Sequence, residues 1–210
     1  MTDPFLLIAG PTAVGKTAVS HHVAKALDAE VISVDSRQVY QTVDIGTAKP
    51  SPDVRERIPH HMVDELPLEQ SISAGKYAGR VEAIIASLMS LNTTPLLVGG
   101  STLYIKALKD GLADIPEVPA HVRQALNERM ETGGAEHLYR ELEAIDPEAA
   151  ASMDPTKTQR IVRALEVYYA TGRTLTYFHE HQPTPRFSYT TVVLNRDRSK
   201  LHERISDRVD

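Results

Sequence analysis

The chain has 210 residues, enough for one large domain or for a domain that carries an insertion, and it contains no cysteine. Disulfides, thiolate zinc sites and a cysteine nucleophile are therefore excluded. A formal net charge of −5 argues against indiscriminate coating of nucleic acid, but a local basic channel stays possible because phosphate contacts depend on where the charges lie. No apolar run approaches membrane-spanning length, so we expect a soluble intracellular protein without a membrane partner.

The first predicted elements are a buried strand over residues 5–9 and a helix over 18–27, joined by the octapeptide GPTAVGKT. This octapeptide fits the phosphate-binding loop pattern G-x-x-x-x-G-K-[ST] without a mismatch. Its glycines let the backbone fold round an anion, so that N–H groups and the positive helix end point at it. Lys16 can then reach the outer phosphates, and the Thr17 hydroxyl can ligate magnesium. The motif predicts a site for a di- or triphosphate, built by Gly10, Pro11, Thr12, Ala13, Val14, Gly15, Lys16 and Thr17.

Strands and helices continue to alternate as far as residue 114. We predict strands over 31–34 and 95–98, a weaker strand over 61–63, and a helix over 74–91. One side of that helix is apolar and consists of Tyr77, Val81, Ile84, Ile85 and Leu88. The alternation predicts an α/β fold, with a parallel sheet that has helices on both faces.

The pattern becomes purely helical after Ile115, with predicted helices over 121–131, 136–144 and 157–171. A polar loop over 179–186 leads to a strand over 189–194 and an amphipathic helix, in which Leu201, Ile205 and Val209 line one side. We therefore predict a core over 1–114, a helical insertion over 115–186 and a return to the core over 187–210. Because the last helical pattern has no partner face, we expect this core to be incomplete at its C-terminus.

Polar residues follow three of the predicted strands, where parallel sheets bind ligands. Lys16 and Thr17 follow the first strand, Asp35 follows the second, and Ser101 follows the strand that ends at Gly99-Gly100. A carboxylate beside a phosphate loop can hold magnesium or take a proton from an acceptor group. The simpler alternative is an aspartate that caps a loop.

Gln159, Arg160 and Arg163 share one face of the helix predicted over 157–171, opposite a core-facing stripe of Ile161, Leu165 and Tyr168. Two arginines and an amide suit contacts with phosphates or base edges. By itself, this pattern is also typical of a solvated helix face.

Two further features carry less information. The loop over 46–50 contains a threonine and a lysine that could face a ligand. The histidines at 60–61 and at 179 and 181 match no metal-binding spacing, which favours structural or solvated roles.

Seven segments follow one another along the chain: GPTAVGKT, DSRQVY, DIGTAKP, PHHMVD, PLLVGGSTLYIKAL, QRIVRALEVYYATG and NRDRSKLHERISDRVD. In this order they resemble the tRNA dimethylallyltransferases, also called isopentenyltransferases, from Phe5 to the last residue. The resemblance implies a P-loop kinase-like core with a helical insertion. It also implies transfer of a dimethylallyl group from dimethylallyl diphosphate to N6 of adenosine 37 in tRNA, with Mg²⁺ as the cofactor. Family members usually continue for about a hundred residues beyond the point where this chain ends.

The resemblance also implies roles for individual residues. Residues 10–17 would bind the diphosphate, Asp35 would be the general base, and Lys16 and Ser101 would complete the catalytic set. Ser101 stands where the family usually has threonine, so the hydroxyl is kept. Contacts with the anticodon stem-loop would come from Asp35, Ser36, Arg37, Gln38, Ser101, Arg123, Gln159, Arg160, Ile161, Val162 and Arg163. The expected protein is a cytoplasmic monomer.

Three other functions remain open at this point. An isopentenyltransferase that acts on free adenine nucleotides shares the donor chemistry, and the chain length favours it slightly. A small-molecule P-loop kinase would bind ATP and use Asp35 to deprotonate a hydroxyl. A nucleotide-dependent RNA-binding module would bind without forming a product. The segments DSRQ, GTAKP and QRIVR favour tRNA.

Overall fold

Five strands form one parallel sheet in the order β3-β2-β4-β1-β5 in the computed structural model, which describes residues 3–113 and 115–209. The strands are β1 (Phe5–Ala9), β2 (Ala29–Val34), β3 (His60–His61), β4 (Thr94–Gly99) and β5 (Tyr189–Val193). Helices surround the sheet. The predicted α/β fold of the P-loop type is therefore confirmed.

Nine helices occur in the described part of the chain: α1 (Lys16–Leu27), α2 (Pro52–Arg57), α3 (Ala74–Ser90), α4 (Thr102–Asp110), α5 (Ala120–Ile145), α6 (Pro147–Ala151), α7 (Thr158–Thr171), α8 (Leu175–Glu180) and α9 (Arg198–Val209). Helix α5 is interrupted at Gly134, whose φ of 75° and ψ of 172° are non-helical, so it comprises the two helices that the sequence predicts. None of the helices within these residues is both long and apolar enough to cross a bilayer.

Two predictions about local structure were wrong. The loop predicted over 179–186 begins later, because α8 continues to Glu180. The weak strand predicted over 61–63 ends at His61, since Met62 adopts a left-handed φ of 60° that turns the chain out of the sheet.

The chain forms two compact units, one of Met1–Gly111 with Thr184–Asp210 and one of Leu112–Pro183. We call them the sheet unit and the helical unit. The boundaries predicted at 114 and 186 remain predictions. Residues 1, 2, 114 and 210 lie outside the described residues, as do the side chains of Arg208 and Val209.

Each unit has its own apolar core. In the sheet unit, apolar side chains of β1, β2 and β4 pack beneath α1 and α3. The buried face of α3 includes Tyr77, Val81, Ile85 and Leu88, and Ile84 is half-buried. In the helical unit, α5 and α7 pack through Leu126, Leu138, Leu142, Ile161, Ala164 and Leu165. Burial of these side chains stabilises each unit by the usual hydrophobic contribution of about 1.5–3 kcal/mol per large side chain.

The ends of β2 and β4 approach each other more closely than side chains would permit. A Cβ atom added at Gly99 would lie 1.9 Å from the carbonyl oxygen of Val34. That oxygen accepts hydrogen bonds from the amides of Gly100 and Ser101, at 3.2 and 3.3 Å. The glycine therefore allows the segment after β4 to dock directly onto the end of β2.

Replacing Gly99 with alanine should destabilise the protein by about 3 kcal/mol or more, because the added methyl group meets backbone that cannot rotate away. Gly79→Ala is the matched control, since nothing lies within 4 Å of a Cβ at this exposed helical position. We expect the control to stabilise α3 by about 0.5–1 kcal/mol. Urea unfolding measures both, and equal stability of the two variants would contradict the close approach.

Candidate active site

The loop between β1 and α1 has the geometry of an anion site. Gly15 caps α1 with a left-handed φ of 110°, no side chain caps the helix, and the first turn contains no acidic residue. The positive end of the helix dipole is therefore not neutralised by the helix itself. Gly10 is required at the other end of the loop, because a Cβ there would lie 2.7 Å from the carbonyl oxygen of Leu194.

Two cations contact the carbonyl groups of this loop. The ammonium of Lys16 donates hydrogen bonds to the carbonyl oxygens of Gly10 and Pro11, both at 2.9 Å. Nε of Arg204, on α9, donates to the carbonyl oxygen of Ala13 at 2.8 Å. Both side chains are thereby held beside the positive end of α1, where an anion is favoured.

Asp35 follows β2 and caps its own turn. Its Oδ1 accepts hydrogen bonds from the amides of Arg37 and Gln38, at 2.8 and 3.3 Å. The capping interpretation of Asp35 is therefore correct for one oxygen of the carboxylate. Those two bonds use Oδ1, so the second oxygen is the one that chemistry with a substrate or a metal would use.

Ser101 contacts this turn from the end of β4. Its Oγ accepts a hydrogen bond from the amide of Ser36 at 3.0 Å, which joins the β4 and β2 ends through a side chain. A hydroxyl that accepts one bond still carries a hydrogen to donate. The direct structural role of Ser101 is to position the segment that contains Asp35.

Gln38 connects the Asp35 turn to the loop over 44–49. Its side-chain amide donates to the carbonyl oxygens of Thr47 and Ala48, at 3.1 and 3.2 Å, and its Oε1 accepts from the Ser33 hydroxyl at 2.8 Å. The loop is thus fastened to the end of β2, which brings Thr47 towards the phosphate loop.

The prediction that Lys49 could face a ligand was wrong. Its side chain is only 3% exposed and donates to Asp44 at 2.7 Å, to Asp64 at 2.5 Å and to the carbonyl oxygen of Tyr40 at 2.6 Å. Arg55 binds the other oxygen of Asp64 at 2.6 Å. Lys49 is therefore a structural residue of the loop, and only Thr47 of the predicted pair reaches the cavity.

A cavity of about 700 Å³ lies where these segments meet. Three of its lining residues, Lys16, Arg37 and Arg204, are cations, and Asp35 is the one carboxylate among the described residues that line it. This balance suits a polyanion that is accompanied by one proton acceptor. The remaining lining comes from Thr12, Ala13, Gly15, Thr17, Ala18, His21, Gln38, Gly46, Thr47 and Ala48.

His21 forms part of the cavity wall and packs edge-on against His60, with ring centroids 5.6 Å apart. Burial lowers the pKa of both imidazoles, and nearby Lys25 lowers the pKa of His21 further. The pair is therefore neutral at physiological pH, and for His60 this agrees with the structural role that the sequence favours.

A second cavity, of about 400 Å³, lies within the helical unit. It brings together Arg123 from α5 with Gln159 and Arg163 from α7, three residues that the sequence predicts to contact RNA. Arg160 is exposed on the same helix. Ile161 is fully buried in the core of this unit, so its side chain has no surface for such a contact, and that prediction is corrected.

Sequence reasoning missed two residues that the structure places in these cavities. Arg204 lies far along the chain from the phosphate loop, and only the amphipathic pattern of α9 indicated a helix there. Glu166 is buried behind Arg123 and Arg163. The sequence could have indicated this buried charge, because a glutamate stands between the apolar residues Leu165 and Val167.

The described residues contain no cluster of three or more His, Asp or Glu side chains that could enclose a metal. The Thr17 hydroxyl and the Asp35 carboxylate lie in the wall of the same cavity. Such a sparse oxygen set fits Mg²⁺, which is commonly bound by one or two protein ligands together with substrate phosphates.

Comparison with known proteins places these features in a family. The model of the IPP transferase family matches residues 38–210. The tRNA dimethylallyltransferase of Salinibacter ruber is 56% identical over 209 residues, and that of Chlorobium phaeobacteroides is 42% identical over 209 residues. The chain is covered to 100% and 99% in these alignments but spans only 64% and 65% of the two relatives.

Solved structures give the same result. A tRNA isopentenylpyrophosphate transferase from Bacillus halodurans is 36% identical with a TM-score of 0.61, over all of this chain and 65% of that one. A eukaryotic dimethylallyltransferase acting on tRNA is 28% identical with a TM-score of 0.82, over all of this chain and 52% of that one.

Replacing Lys49 with methionine should lower the free energy of unfolding by about 2 kcal/mol, because Asp64 and Asp44 lose their shared cation. Lys76→Met, at an exposed position of α3, should change it by less than about 0.5 kcal/mol. Chemical denaturation measures both, and an unchanged K49M protein would contradict the structural role.

The difference in the free energy of unfolding between wild type and K49M should depend on pH. Burial acts to raise the pKa of Asp64, but the hydrogen bonds from Lys49 and Arg55 outweigh it and lower that pKa. Burial acts to lower the pKa of Lys49, and its bonds to Asp44 and Asp64 raise it overall. The stabilisation is thus present between the two pKa values, and the difference between wild type and K49M should shrink as the pH falls below about 4.

Proposed function

The chain belongs to the IPP transferase family, and from this premise we propose that it is the catalytic core of a tRNA dimethylallyltransferase. The reaction transfers the dimethylallyl group of dimethylallyl diphosphate to N6 of adenosine 37. One observation supports this most strongly: the phosphate loop and the Asp35 carboxylate line a single cavity. Relatives named for tRNA favour this acceptor over free adenine nucleotides and over a kinase substrate.

The diphosphate of the donor would bind at the positive end of α1. Lys16 and the loop amides neutralise part of its charge, and Arg204 adds a second cation from α9. Neutralisation makes the diphosphate a better leaving group, so positive charge can develop on the allylic carbon as its bond to oxygen breaks. The Thr17 hydroxyl would hold Mg²⁺, which would supply further neutralisation of the diphosphate when bound.

The amino group of adenosine needs help because its lone pair is delocalised into the ring. As the bond between N6 and the allylic carbon forms and the bond to the diphosphate oxygen breaks, N6 must lose a proton. The oxygen of Asp35 that does not cap the turn is suited to take it. Ser101 and Gln38 fix the turn on both sides, which keeps that oxygen in place.

The RNA would contribute an adenosine that leaves its stack to enter the cavity. Arg37 and Gln38 lie next to Asp35 and would contact that nucleotide. Arg123, Gln159, Arg160 and Arg163 of the helical unit would contact the anticodon stem-loop. We further propose that the protein acts as a monomer in the cytoplasm, where its tRNA substrate is processed.

The proposal is tested by incubating the chain with dimethylallyl diphosphate, Mg²⁺ and unmodified tRNA, and then digesting the RNA for mass analysis. A nucleoside with the mass of dimethylallyl adenosine is expected from tRNA and not from AMP. Product on AMP alone would indicate the nucleotide-specific reaction, and phosphate transfer from labelled ATP would indicate a kinase. If the protein binds tRNA but forms no modified nucleoside, it is an RNA-binding module without the transferase activity.

Asp35→Asn should lower kcat by roughly 100-fold or more, because the amide cannot take a proton. The amide oxygen can still accept the two backbone bonds of the turn, so the affinity for tRNA should change by less than about threefold. Asp53→Asn, at an exposed position of α2, is the matched control and should keep full activity. Near-normal turnover of the Asp35 variant would show that the base is a different group.

Lys16→Ala gives the contrasting result. It should impair use of the donor by roughly 100-fold in kcat/KM for dimethylallyl diphosphate, while the affinity for tRNA is retained. Lys25→Ala, at the other end of α1, should leave donor kinetics unchanged. Equal kinetics of the two lysine variants would count against diphosphate binding at this loop.

A further inference from the structure

Glu166 is a buried carboxylate that the proposed reaction does not use. Its side chain is 3% exposed, and its neighbours on α7, Leu165 and Val167, are fully buried apolar residues. Burial of a charged side chain at such a position is strongly unfavourable unless partners compensate for the lost hydration. The residues that bind Glu166 must therefore compensate for the burial of its charge.

Those partners are the two arginines of the second cavity. Nε and Nη2 of Arg123 donate to the two oxygens of Glu166, at 2.6 and 3.2 Å, in a bidentate pair. Nη1 of Arg163 donates to Oε2 at 3.2 Å. One carboxylate therefore joins two guanidinium groups that come from different helices, α5 and α7.

The arginines themselves are largely open to solvent. The side chain of Arg123 is 61% exposed and that of Arg163 is 41% exposed. Each guanidinium uses only some of its five N–H donors to bind Glu166. The remaining N–H groups make no hydrogen bond with the described part of the chain. The two cations are thus oriented from behind and face the cavity with unused donors.

The surroundings of the pair fit an RNA backbone. Thr158, Gln159 and Asn127 add neutral hydrogen-bonding groups to the cavity wall. The helical unit as a whole has seven Lys and Arg residues against twelve Asp and Glu residues, so it does not attract RNA through its net charge. A contact with RNA at this place must depend on how individual cations are arranged.

We propose that Glu166 is a positioning residue, which holds Arg123 and Arg163 as a clamp for one backbone phosphate of the bound RNA. The inference rests on the proposed function, because it takes tRNA to be the partner of this unit. Arginine pairs recognise phosphate best when their planar donor groups are oriented in advance. Glu166 supplies that orientation, and its own charge leaves the three-residue set with a net charge of +1.

The two arginines also keep the Glu166 carboxyl ionised. Burial acts to raise the pKa of the carboxyl, but the hydrogen bonds from Arg123 and Arg163 outweigh it and lower the pKa. Bonding to Glu166 in turn raises the pKa of Arg123. Glu166 and Arg123 are therefore charged throughout the physiological range, and the clamp does not act as a pH switch.

The proposal and an account based on net charge predict opposite changes in RNA affinity when Glu166 loses its charge. Glu166→Gln removes a negative charge beside the RNA site, so an account based on net charge predicts tighter binding. If the carboxylate orients the arginines, the same change should weaken binding by about tenfold, because a neutral amide cannot hold both guanidinium groups. Glu166→Asp keeps the charge and should recover part of the affinity.

The experiment measures fluorescence anisotropy of a labelled anticodon stem-loop RNA titrated with the full chain, between about 50 and 200 mM salt. In E166Q, loss of one phosphate contact should make the slope of log K against the logarithm of the salt concentration shallower by about one. Glu136→Gln is the matched control, because Glu136 forms an exposed ion pair with Arg140 in the same unit and should not alter binding. Thermal unfolding checks that E166Q is folded at the assay temperature.

A double-mutant cycle separates positioning from a merely structural role. In an Arg123→Ala, Arg163→Ala background, E166Q should have no further effect on RNA affinity, since the groups through which Glu166 acts are absent. With the complete enzyme reaction, E166Q should raise KM for tRNA about tenfold and leave kcat unchanged.

Several outcomes would overturn the inference: tighter binding by E166Q, an equal loss in the arginine-free background, or a fall in kcat without a change in KM. Competition by a few millimolar inorganic phosphate would indicate a site for a free anion in place of RNA. If wild-type protein modifies tRNA and E166Q behaves like it, only the clamp is refuted. If wild-type protein neither binds nor modifies tRNA, the proposed function fails first.

Discussion

The candidate site depends on the direct contact between the ends of β2 and β4. With no side chain at Gly99, the backbone after β4 lies against the Val34 carbonyl group, which accepts two amides from the following residues. The contact sets Ser101 against the Ser36 amide and thereby fixes the Asp35 turn. Because β1 pairs with the other side of β4, the same arrangement puts the phosphate loop beside that turn. The phosphate loop after β1 and the Asp35 carboxylate after β2 therefore line one cavity.

A second layer of interactions holds the cavity wall. Gln38 binds the carbonyl groups of Thr47 and Ala48, and Lys49 fastens the far end of that loop to Asp44 and Asp64. These contacts are polar and partly buried, so they define one loop conformation more than they add net stability. Glu166 has the corresponding effect in the helical unit, where it orders two arginines. In both units, a buried charge determines where an exposed cation or loop lies.

Much of the sheet could be predicted because its strands are short apolar runs bounded by turn residues, and because the phosphate-loop motif locates β1 and α1. Helices α2 and α8 were not predicted, because six residues are too few to show a clear apolar period. Helix α4 was also missed, although its buried residues Tyr104, Ala107 and Leu108 have helical spacing. The Lys49 network, the position of Arg204 and the pairing of Glu166 with Arg123 could not be predicted, since each depends on contacts between residues distant in the chain. Motif spacing predicts local chemistry, whereas the partners of long charged side chains depend on the tertiary fold.

The central claim is that one cavity joins the diphosphate to the acceptor amine beside Asp35. The most direct test is a crystal structure of the protein with an unreactive analogue of dimethylallyl diphosphate and an anticodon stem-loop RNA. The account predicts the diphosphate on residues 10–17 and the adenosine N6 within about 3 Å of the free carboxylate oxygen of Asp35. A diphosphate bound elsewhere, or an N6 atom separated from Asp35 by another residue, would contradict it.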